Sequence, residues 1–280
     1  MIGIIDYNAG NISSVERALK KIGSPYILSK HPEELKTCAK IIFPGVGDAA
    51  FAMEQLKITG FDSFIKEWVK DGKPLAGICL GSQIIFDYSE EGNTPCLGLL
   101  KGKIRHFKNL YAEKNINPEG NLKIPHIGWS DISYTNNGSI LFDGVPNHTD
   151  FYFVHSYIIC PEDSSIVKAE ADYGIKVPSC VEKDNITAFQ FHPEKSGEPG
   201  LKILENFCFK NFIVRRNKAM KQPVICEKKT YTVAEIMEIL GIGRTAAYDL
   251  TRKGLFKVIR VGKLLRINKE SFDQWFDSQQ

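Results

Sequence analysis

The 280-residue chain has a mass of 31.5 kDa, more than one ordinary domain needs and enough for two domains of unequal size. Hydrophobic residues make up 43% and charged residues 25%, which is typical of globular proteins and excludes wholesale disorder. No apolar run approaches the roughly 20 residues that cross a bilayer, and the first residues lack the basic segment of a signal peptide. Seven scattered cysteines without a Cys-x-x-Cys pair argue against a disulfide framework and a zinc knuckle. We therefore expect a cytoplasmic protein with no metal and no membrane partner.

Charge is distributed unevenly along the chain. Residues 215–280 carry 14 Lys and Arg against seven Asp and Glu, whereas 1–214 carry 22 basic and 26 acidic residues. A mildly acidic body with a basic tail indicates two different kinds of partner, one of them nucleic acid. We expect a domain at 1–214, a basic linker at 215–228 and a small second domain at 229–280.

The first two thirds of the chain alternate short apolar runs with amphipathic ones. The apolar runs are typical of strands buried on both faces, namely Ile2–Asp6, Tyr26–Ser29, Ile41–Phe43 and Pro74–Cys79. Between them, Ser13–Ile22 and Gly60–Lys70 have helical spacing, so the pattern predicts a doubly wound α/β fold. From about Phe107 the pattern changes to closely spaced strands, predicted at Ile132–Tyr134, Phe151–Val154, Tyr157–Cys160, Ile166–Ala169, Ser179–Glu182 and Ile186–Gln190. A helix over Gly200–Val214 is expected to close the domain.

The basic tail has its own regular pattern. Thr232 followed by Glu235 is the capping-box spacing at a helix start. The elements predicted here, in chain order, are a helix over Thr232–Leu240, a turn at 241–243, a helix over Arg244–Lys253, a hairpin over Val258–Ile267 turning at 262–263, and a helix over Asn268–Phe276.

Cys79 lies between a predicted strand and a predicted helix, with Gly77 and Gly81 on either side. Glycines at these two positions allow the sharp turn of a nucleophile elbow, which exposes a side chain at the end of a strand. The helix that follows would direct its positive dipole end and its N–H groups toward a developing oxyanion. The same position also suits an inert cysteine buried in a strand.

His192 and Glu194 form a second candidate group, just past the last predicted strand of the domain. Active sites of open α/β sheets lie at the carboxyl ends of the strands. In an extended chain, the side chains of residues i and i+2 project to the same side, so His192 and Glu194 would face the same way. A thiol, an imidazole and a carboxylate are the parts of a Cys-His-Glu triad. For His-x-Glu alone, a surface histidine beside a solvated glutamate would be the simpler interpretation.

A glycine turn, Gly45-Val46-Gly47, directly follows the strand Ile41–Phe43. Such a turn allows backbone N–H groups to point into a site as an oxyanion hole requires, and it could equally be an ordinary strand–helix turn. Neither a dinucleotide-binding nor a P-loop motif is present, so no cofactor is implied.

Together these motifs resemble the class I glutamine amidotransferases, in the right order over roughly residues 1–213. The most similar members are the glutaminase subunits of imidazole glycerol phosphate synthases. The segments that carry the resemblance are Ile4–Asn11, Pro44–Gly47, Gly77–Gln83, Pro125–Trp129, Tyr152–Tyr157 and Gln190–Ser196. The resemblance implies a three-layer α/β domain with a mixed sheet. Two positions depart from the family pattern, because Ser130 stands where Asn is usual and Ser82 where Met is common.

The resemblance further implies hydrolysis of L-glutamine to glutamate and ammonia. Cys79 would be the nucleophile, His192 the general base and acid, and Glu194 the group that orients His192. The oxyanion would be held by the Leu80 N–H and by the turn of Gly45, Val46 and Gly47. Residues matching glutamine-binding positions of the family are Gln83, Glu91, Ser156 and Tyr157.

In that family the ammonia passes to a (β/α)8-barrel cyclase subunit, with which the glutaminase forms a heterodimer. The cyclase makes imidazole glycerol phosphate and an aminoimidazole carboxamide ribonucleotide in histidine biosynthesis. Residues matching the family's interface positions are Asn8, Asn11, Trp129, Tyr152 and Lys195.

Residues 229–280 resemble an excisionase-type helix-turn-helix domain with a small wing. The resemblance implies binding of double-stranded DNA, with the second helix in the major groove and the wing on phosphates. The residues expected to contact DNA are Arg244, Thr245, Tyr248, Arg252, Arg260 and Lys263. The alternative is that this domain only contacts another protein.

Two rival functions remain open at the level of sequence. The glutaminase could supply ammonia to a different synthase, such as one that amidates a sugar nucleotide. The chain could instead be a DNA-binding regulator that senses glutamine. Retention of Cys79, His192 and Glu194 argues against a pure sensor, which does not need a nucleophile.

Overall fold

The computed structural model describes residues 1–118, 122–134, 139–210, 230–261 and 264–278. The chain forms two compact units, Met1–Arg216 and Asn217–Gln280. The predicted boundaries and the predicted basic linker 215–228 fall within 211–229, outside the described residues, and stay predictions. No helix in the described ranges is long and apolar enough to cross a membrane.

The first unit is an α/β domain. Its strands are β1 (Ile2–Ile5), β2 (Tyr26–Ser29), β3 (Lys40–Gly45), β4 (Leu75–Cys79), β5 (Tyr88–Ser89), β6 (Thr94–Pro95), β7 (Gly102–His106), β8 (His126–Tyr134), β9 (Thr149–His155), β10 (Tyr157–Pro161), β11 (Val167–Asp172), β12 (Lys176–Lys183) and β13 (Ile186–Phe189). Its helices are α1 (Ile12–Lys21), α2 (Pro32–Leu35), α3 (Ala49–Thr59), α4 (Phe61–Lys70), α5 (Leu80–Gln83), α6 (Phe107–Glu113) and α7 (Gly197–Phe209).

Nine strands form one mixed sheet in the order β2-β1-β3-β4-β13-β12-β11-β8-β9. The first five run parallel and the others pair antiparallel. Large apolar clusters pack on both faces, one including Leu19 and Phe207, the other including Leu56 and Trp68. This confirms the predicted three-layer α/β fold, because parallel strands need helices on both faces.

The parallel part of the sheet brings the predicted catalytic segments to one edge. Gly45 at the end of β3 pairs with Cys79 at the end of β4. Strand β13 pairs with β4 on its other side, with Phe189 opposite Ile78, so the chain leading to His192 leaves the sheet at the same edge. Carboxyl ends of adjacent parallel strands are where open α/β sheets build their sites.

Sequence reasoning placed no element between Phe107 and the first strand predicted after it, at Ile132–Tyr134, and it therefore missed α6 (Phe107–Glu113). Its buried residues Phe107, Leu110 and Tyr111 have helical spacing, and the His106 ring Nδ1 accepts from the Lys108 N–H at 3.0 Å. Helix α7 begins at Gly197 rather than Gly200 and ends at Phe209, so the predicted 211–214 extension lies outside the described residues.

The second unit contains β14 (Thr230–Tyr231), α8 (Val233–Leu240), α9 (Arg244–Arg252), β15 (Val258–Val261), β16 (Leu264–Asn268) and α10 (Lys269–Asp277). Its strands form a sheet in the order β14-β16-β15. The predicted capping box is present, since Thr232 N–H donates to Glu235 Oε2 at 2.8 Å and Glu235 N–H donates to Thr232 Oγ1 at 3.2 Å. Ile236 and Phe272 lie in the small apolar core. The structure therefore confirms a helix-turn-helix with a short hairpin after it.

A buried lysine joins the central sheet to the last helix of the first unit. Lys40, at the start of β3, donates from Nζ to the carbonyl oxygens of Phe207 at 2.7 Å and Lys210 at 2.6 Å. These carbonyls belong to the C-terminal end of α7, where a cation also favours the helix dipole. Burial lowers the pKa of Lys40 because it disfavours the charged ammonium group. The hydrogen bonds to the two carbonyls offset this cost of burying the charge.

We expect Lys40→Met to lower the free energy of unfolding of the full chain by about 1–3 kcal/mol, because two buried carbonyls lose their donor. Urea unfolding monitored by tryptophan fluorescence would measure the change. The matched control Lys66→Met, at an exposed position of α4, should stay within about 0.5 kcal/mol of the parent chain. Equal stability of the two variants would contradict this account of Lys40.

Candidate active site

Cys79 has the strained backbone conformation that its glycine neighbours predicted. Its φ of 54° and ψ of −111° place a non-glycine residue in a region that L-residues rarely adopt. Close packing explains the second flanking glycine, because a Cβ on Gly81 would stand 2.0 Å from the carbonyl oxygen of Phe43. Backbone strain of this kind costs on the order of 1–3 kcal/mol and is typical of functional sites.

The helix after Cys79 is a short one. Helix α5 covers only Leu80–Gln83, a single turn that ends at Ile84. So short a helix has little macrodipole, and the expected dipole effect on the thiol is correspondingly small. The Leu80 N–H remains directly after the thiol-bearing residue, where the oxyanion prediction put it.

His192 and Glu194 form a buried pair. His192 Nδ1 lies 2.8 Å from Glu194 Oε1, and their side chains are only 2% and 1% exposed. Because a carboxylate only accepts, Nδ1 carries the proton and Nε2 is directed elsewhere. The backbone holds the ring in place, since His192 N–H donates to the Tyr152 carbonyl at 2.9 Å and Ser196 Oγ donates to the His192 carbonyl at 2.6 Å.

The environment of His192 raises its pKa to about 10. Burial by itself lowers the pKa, but hydrogen bonding and charge from Cys79 and Glu194 act in the opposite direction and outweigh it. Within the described part of the chain, the buried Nε2 of His192 has no hydrogen-bond partner. The Cys79 thiol makes its hydrogen bond to the Val154 carbonyl at 3.8 Å and acts on the His192 ring through charge. At neutral pH the ring is an imidazolium.

The glycine turn lies against the turn at Cys79, since Gly45 pairs with Cys79 across the sheet. A Cβ on Gly45 would stand 2.5 Å from the Gly81 nitrogen and 2.8 Å from the Tyr7 hydroxyl, so only glycine fits there. Gly47 has a φ of 96°, and Val46 between them is partly exposed. Tyr7, which sequence reasoning missed, is buried, and burial together with Cys79 raises its pKa far above the usual range.

A cavity of about 300 Å³ opens above Cys79 and His192. Most of the predicted catalytic, oxyanion and glutamine-binding residues line it, the exceptions being Gly45 and Glu194, which lie behind the lining. Lining residues that sequence reasoning did not assign to the site are Pro125, Val154 and His155. One feature of the sequence could have placed His155 at the site, because it lies in the segment Tyr152–Tyr157 that carries the family resemblance. No three His, Cys, Asp or Glu side chains among the described residues are arranged to hold a metal ion.

The predicted glutamine-binding residues form two walls of this cavity. Gln83 donates from Nε2 to the Tyr157 carbonyl at 3.0 Å and to Gln190 Oε1 at 2.9 Å, which fixes its amide. Glu91 Oε2 accepts from the Ala49 N–H at 2.9 Å. Burial raises the pKa of Glu91, with Asp48 adding to the effect and the Ala49 N–H opposing it.

A comparison with known protein families identifies the family of the first unit. The sequence profile of "Glutamine amidotransferase class-I" matches residues 3–211, three quarters of the chain. The chain belongs to the class I glutamine amidotransferases.

Curated relatives of this amidotransferase include the "Imidazole glycerol phosphate synthase subunit HisH" of Bacillus subtilis, 46% identical over 209 residues that cover 74% of the chain and 95% of the relative. The subunit of the same name from Herpetosiphon aurantiacus is 41% identical over 208 residues, covering 74% and 93%. A solved glutamine amidotransferase has the same fold, with a TM-score of 0.56 at 19% identity over 73% of the chain and 97% of that structure. Residues 230–280 match a "Helix-turn-helix domain" profile.

An aromatic and cationic patch lies beside the cavity of the amidotransferase unit. The Trp129 and Tyr152 rings are 5.9 Å apart, and Lys195 Nζ lies 5.9 Å from the Tyr152 ring centroid. Tyr152 is also 6.4 Å from the His192 ring, and Lys195 lines the cavity itself. Three of the predicted partner residues therefore lie together at the active site.

The other two predicted partner residues make local contacts. Asn8 is exposed and its Oδ1 accepts from Lys30 Nζ at 2.9 Å. Asn11 is partly buried at the start of α1 and accepts from Ser14 Oγ at 3.2 Å. Ser14, the hydrogen-bond partner of Asn11, lines a surface cavity that Lys195 also lines. Asn11 is therefore connected to the patch of Trp129, Tyr152 and Lys195 through the first turn of α1.

In the second unit, α9 turns its polar face outward. Arg244, Thr245 and Arg252 are exposed, Tyr248 is partly buried, and Ala247 on the opposite side packs into the core. Arg244 stacks over the Tyr248 ring at 5.9 Å, and Arg252 approaches Asp249 at 3.7 Å. Arg260 on β15 is exposed, whereas Lys263 lies outside the described residues.

We expect the His192 ring to titrate near pH 10 in ¹⁵N NMR of the full chain. Because the folded pKa lies above the unfolded value of about 6.5, the stabilisation from this charge is complete below about pH 6.5 and is lost as pH rises through about 10. Glu194→Gln removes one of the two groups that raise the pKa, so the His192 titration should shift to lower pH.

The matched control is Glu205→Gln, which removes a carboxylate from the surface pair with Lys202. This variant should leave the His192 titration unchanged. A His192 ring that titrates at the same pH with and without the Glu194 carboxylate would refute the buried-pair account.

Proposed function

We propose that this chain hydrolyses L-glutamine to glutamate and ammonia, with Cys79, His192 and Glu194 as its catalytic triad. The observation that carries the proposal is the buried His192–Glu194 pair at the same cavity as a cysteine in a strained backbone turn. An inert cysteine in a strand would need neither the strain nor an imidazolium beside it. A positive charge next to a thiol favours the thiolate, which is the reactive nucleophile.

In the proposed reaction the Cys79 thiolate attacks the side-chain amide carbon of glutamine, and the carbonyl becomes an oxyanion. His192 donates its Nε2 proton to the departing nitrogen, so ammonia leaves and a thioester remains. The neutral ring then takes a proton from water, which attacks the thioester and releases glutamate and the thiolate. Glu194 keeps the proton on Nδ1 throughout, so that Nε2 is the atom that exchanges protons.

Oxyanion stabilisation is assigned to the Leu80 N–H and to the turn of Gly45, Val46 and Gly47. The glutamine itself would lie along the cavity wall, with the Glu91 carboxylate on its α-ammonium. Gln83 and the backbone at Ser156 and Tyr157 would hold the remaining polar groups. These assignments rest on the resemblance to the family and on the common lining of one cavity.

The acceptor of the ammonia is proposed to be a cyclase subunit with a (β/α)8 barrel, in a cytoplasmic heterodimer of histidine biosynthesis. The names of the relatives support this, because they are subunits of imidazole glycerol phosphate synthase. Trp129, Tyr152 and Lys195 support it too, since a patch beside the cavity is where a partner must lie to receive ammonia. Asn8 and Asn11 are proposed to extend this interface.

The test measures glutamine hydrolysis by the purified chain, alone and with the cyclase subunit of the same organism and its ribonucleotide ligand. We expect strong stimulation by the liganded cyclase. Cys79→Ser should lose at least about a thousandfold in kcat, because a serine hydroxyl ionises far less readily than a thiol and is the weaker nucleophile. Mass spectrometry should detect a glutamyl thioester on Cys79 in the wild-type chain.

Each part of the proposal has its own contradicting result. Hydrolysis without any stimulation by the cyclase would agree with the proposed triad but would refute the proposed partner from histidine biosynthesis. Failure to hydrolyse glutamine in every mixture, without a thioester, would refute the enzyme and favour a glutamine-sensing regulator.

For the second unit we propose binding of double-stranded DNA through α9, with the β15–β16 hairpin as a wing on phosphates. The exposed arginines of α9 and the charge of the tail support it, since phosphate binding depends on Lys and Arg. Arg244, Thr245, Tyr248 and Arg252 would face the major groove, and Arg260 and Lys263 the backbone.

We expect Arg244→Ala with Arg252→Ala to weaken binding of the full chain to duplex DNA and to leave the slope of the salt dependence nearly unchanged, because these side chains are proposed to reach base edges rather than phosphates. Fluorescence anisotropy over a series of salt concentrations would measure both. The control Lys66→Ala, in the other unit, removes a charge without touching α9. Unchanged DNA affinity in the double variant would rule out α9 as the reading helix.

A further inference from the structure

A series of side-chain hydrogen bonds runs from strand β8 to the wall of the active-site cavity. Ser130 Oγ lies 2.9 Å from His126 Nε2, and His126 Nδ1 lies 3.2 Å from His155 Nε2. His155 Nδ1 lies 2.7 Å from the carbonyl oxygen of Tyr157. Both histidines are buried, and Ser130 is half-buried. The series therefore joins strand β8, next to Trp129, to the residue that follows Ser156.

Each hydrogen bond in this series has one possible direction. A carbonyl oxygen only accepts, so His155 Nδ1 carries a proton and donates to Tyr157. Burial lowers the pKa of His155 to about 3 and that of His126 to about 4, so both rings are neutral at pH 7. A neutral His155 then offers Nε2 as an acceptor, and His126 must donate from Nδ1. By the same reasoning His126 Nε2 accepts, and the Ser130 hydroxyl is the donor that begins the series.

The series ends on a group that also holds Gln83. The Tyr157 carbonyl accepts both His155 Nδ1 at 2.7 Å and Gln83 Nε2 at 3.0 Å. Gln83, His155 and Tyr157 all line the cavity. A change in the proton on His155 therefore acts on the carbonyl that fixes the Gln83 amide.

The His126 ring cannot respond by turning away. It stacks on the Phe153 ring at 4.8 Å with an interplanar angle of 15°, and on the Tyr173 ring at 4.0 Å and 18°. With both faces covered, loss of the Ser130 donor leaves two outcomes for His126. Its buried Nε2 stays unpaired, or its proton moves from Nδ1 to Nε2.

The first outcome costs one hydrogen bond, whereas the second would also break the bond between His155 and Tyr157. A His126 ring protonated on Nε2 presents a lone pair to the lone pair of His155 Nε2, so His155 must shift its proton in turn. His155 Nδ1 then presents a lone pair to the Tyr157 carbonyl, and the bond between them is lost. The first outcome is therefore favoured, and it reaches the cavity because a ring that no longer accepts a hydrogen bond donates more weakly to the next group in the series.

We infer that Ser130 is a positioning residue for glutamine, acting through His126 and His155 on the Tyr157 carbonyl and Gln83. This inference rests on the proposed glutaminase function, because it assumes that glutamine occupies the cavity. Ser130 does not touch the reacting atoms. Its effect is therefore on glutamine affinity rather than on the chemical step.

The first experiment is ¹⁵N NMR of the histidine rings in the full chain at neutral pH. Nδ1-protonated tautomers are expected for both His126 and His155 in the wild type. Ser130→Ala should leave both rings protonated on Nδ1 but shift the ¹⁵N resonance of His126 Nε2, which loses its donor, and Ser130→Asn should restore the wild-type resonance because its amide also donates. Ser133→Ala is the matched control, since Ser133 lies on the same strand but donates to the Glu170 carbonyl at 3.4 Å, outside the series.

The second experiment measures glutamine affinity by calorimetry in the Cys79→Ser background, where no hydrolysis interferes. Ser130→Ala should weaken binding about fivefold, the effect of one lost neutral hydrogen bond. In the wild-type background it should raise KM by a similar factor and leave kcat within about twofold. Ser130→Asn should recover affinity, and Ser133→Ala should not change it.

Two results would overturn the inference. One is an Nε2-protonated tautomer of His126 or His155 in the wild-type chain. The other is unchanged glutamine affinity in Ser130→Ala. A wild-type chain that binds glutamine with the expected tautomers but hydrolyses none would refute the proposed reaction and leave the positioning by Ser130 intact.

Discussion

The site depends on how closely the backbone of β3 approaches the turn at Cys79. The Phe43 carbonyl oxygen would be 2.0 Å from a Cβ on Gly81, and a Cβ on Gly45 would be 2.5 Å from the Gly81 nitrogen. Glycine at both positions lets two parallel strands and the following turn pack without side chains between them. This contact holds Cys79 at a φ of 54° and sets the glycine turn directly beside it. The strain is tolerated because the turn packs into a core formed on both faces of a nine-stranded sheet.

Two buried histidines, His155 and His192, line the cavity and a third, His126, lies behind His155, and the contacts of these rings explain why their charges differ. His192 has a carboxylate on Nδ1 and a thiol near Nε2, so its pKa is raised to about 10. His126 and His155 contact only neutral groups, and burial lowers their pKa to about 4 and about 3. A charged ring suits proton transfer, whereas neutral rings can transmit a hydrogen-bond direction. Keeping His155 neutral also avoids placing a second cation next to His192.

The basic tail forms a separate unit with its own small core. Its capping box and its apolar spacing are local features, and the structure reproduces both. Helix α9 buries Ala247 and exposes Arg244 and Arg252, so the charge asymmetry of the sequence becomes an exposed basic face of one helix. An acidic amidotransferase unit and a basic helix-turn-helix unit in one chain combine two surfaces suited to different partners.

That Cys79, His192 and Glu194 form one site followed from the family resemblance. The sequence by itself determined the α/β class, the segments of the parallel strands, and the candidacy of Cys79 and of His192 with Glu194. These depend on local rules, namely strand hydrophobicity, glycine spacing and the two-residue period of an extended chain. It did not determine helix α6, or that His126 points inward on β8 while Ile127 and Trp129 are exposed. In the first half of that strand the apolar side chains Ile127 and Trp129 face out, although Ile132 farther along is buried, so hydrophobic patterning could not predict its length or the buried position of His126. The tertiary structure alone decided which histidines are charged, because ring charge is set by burial and by partners distant in sequence.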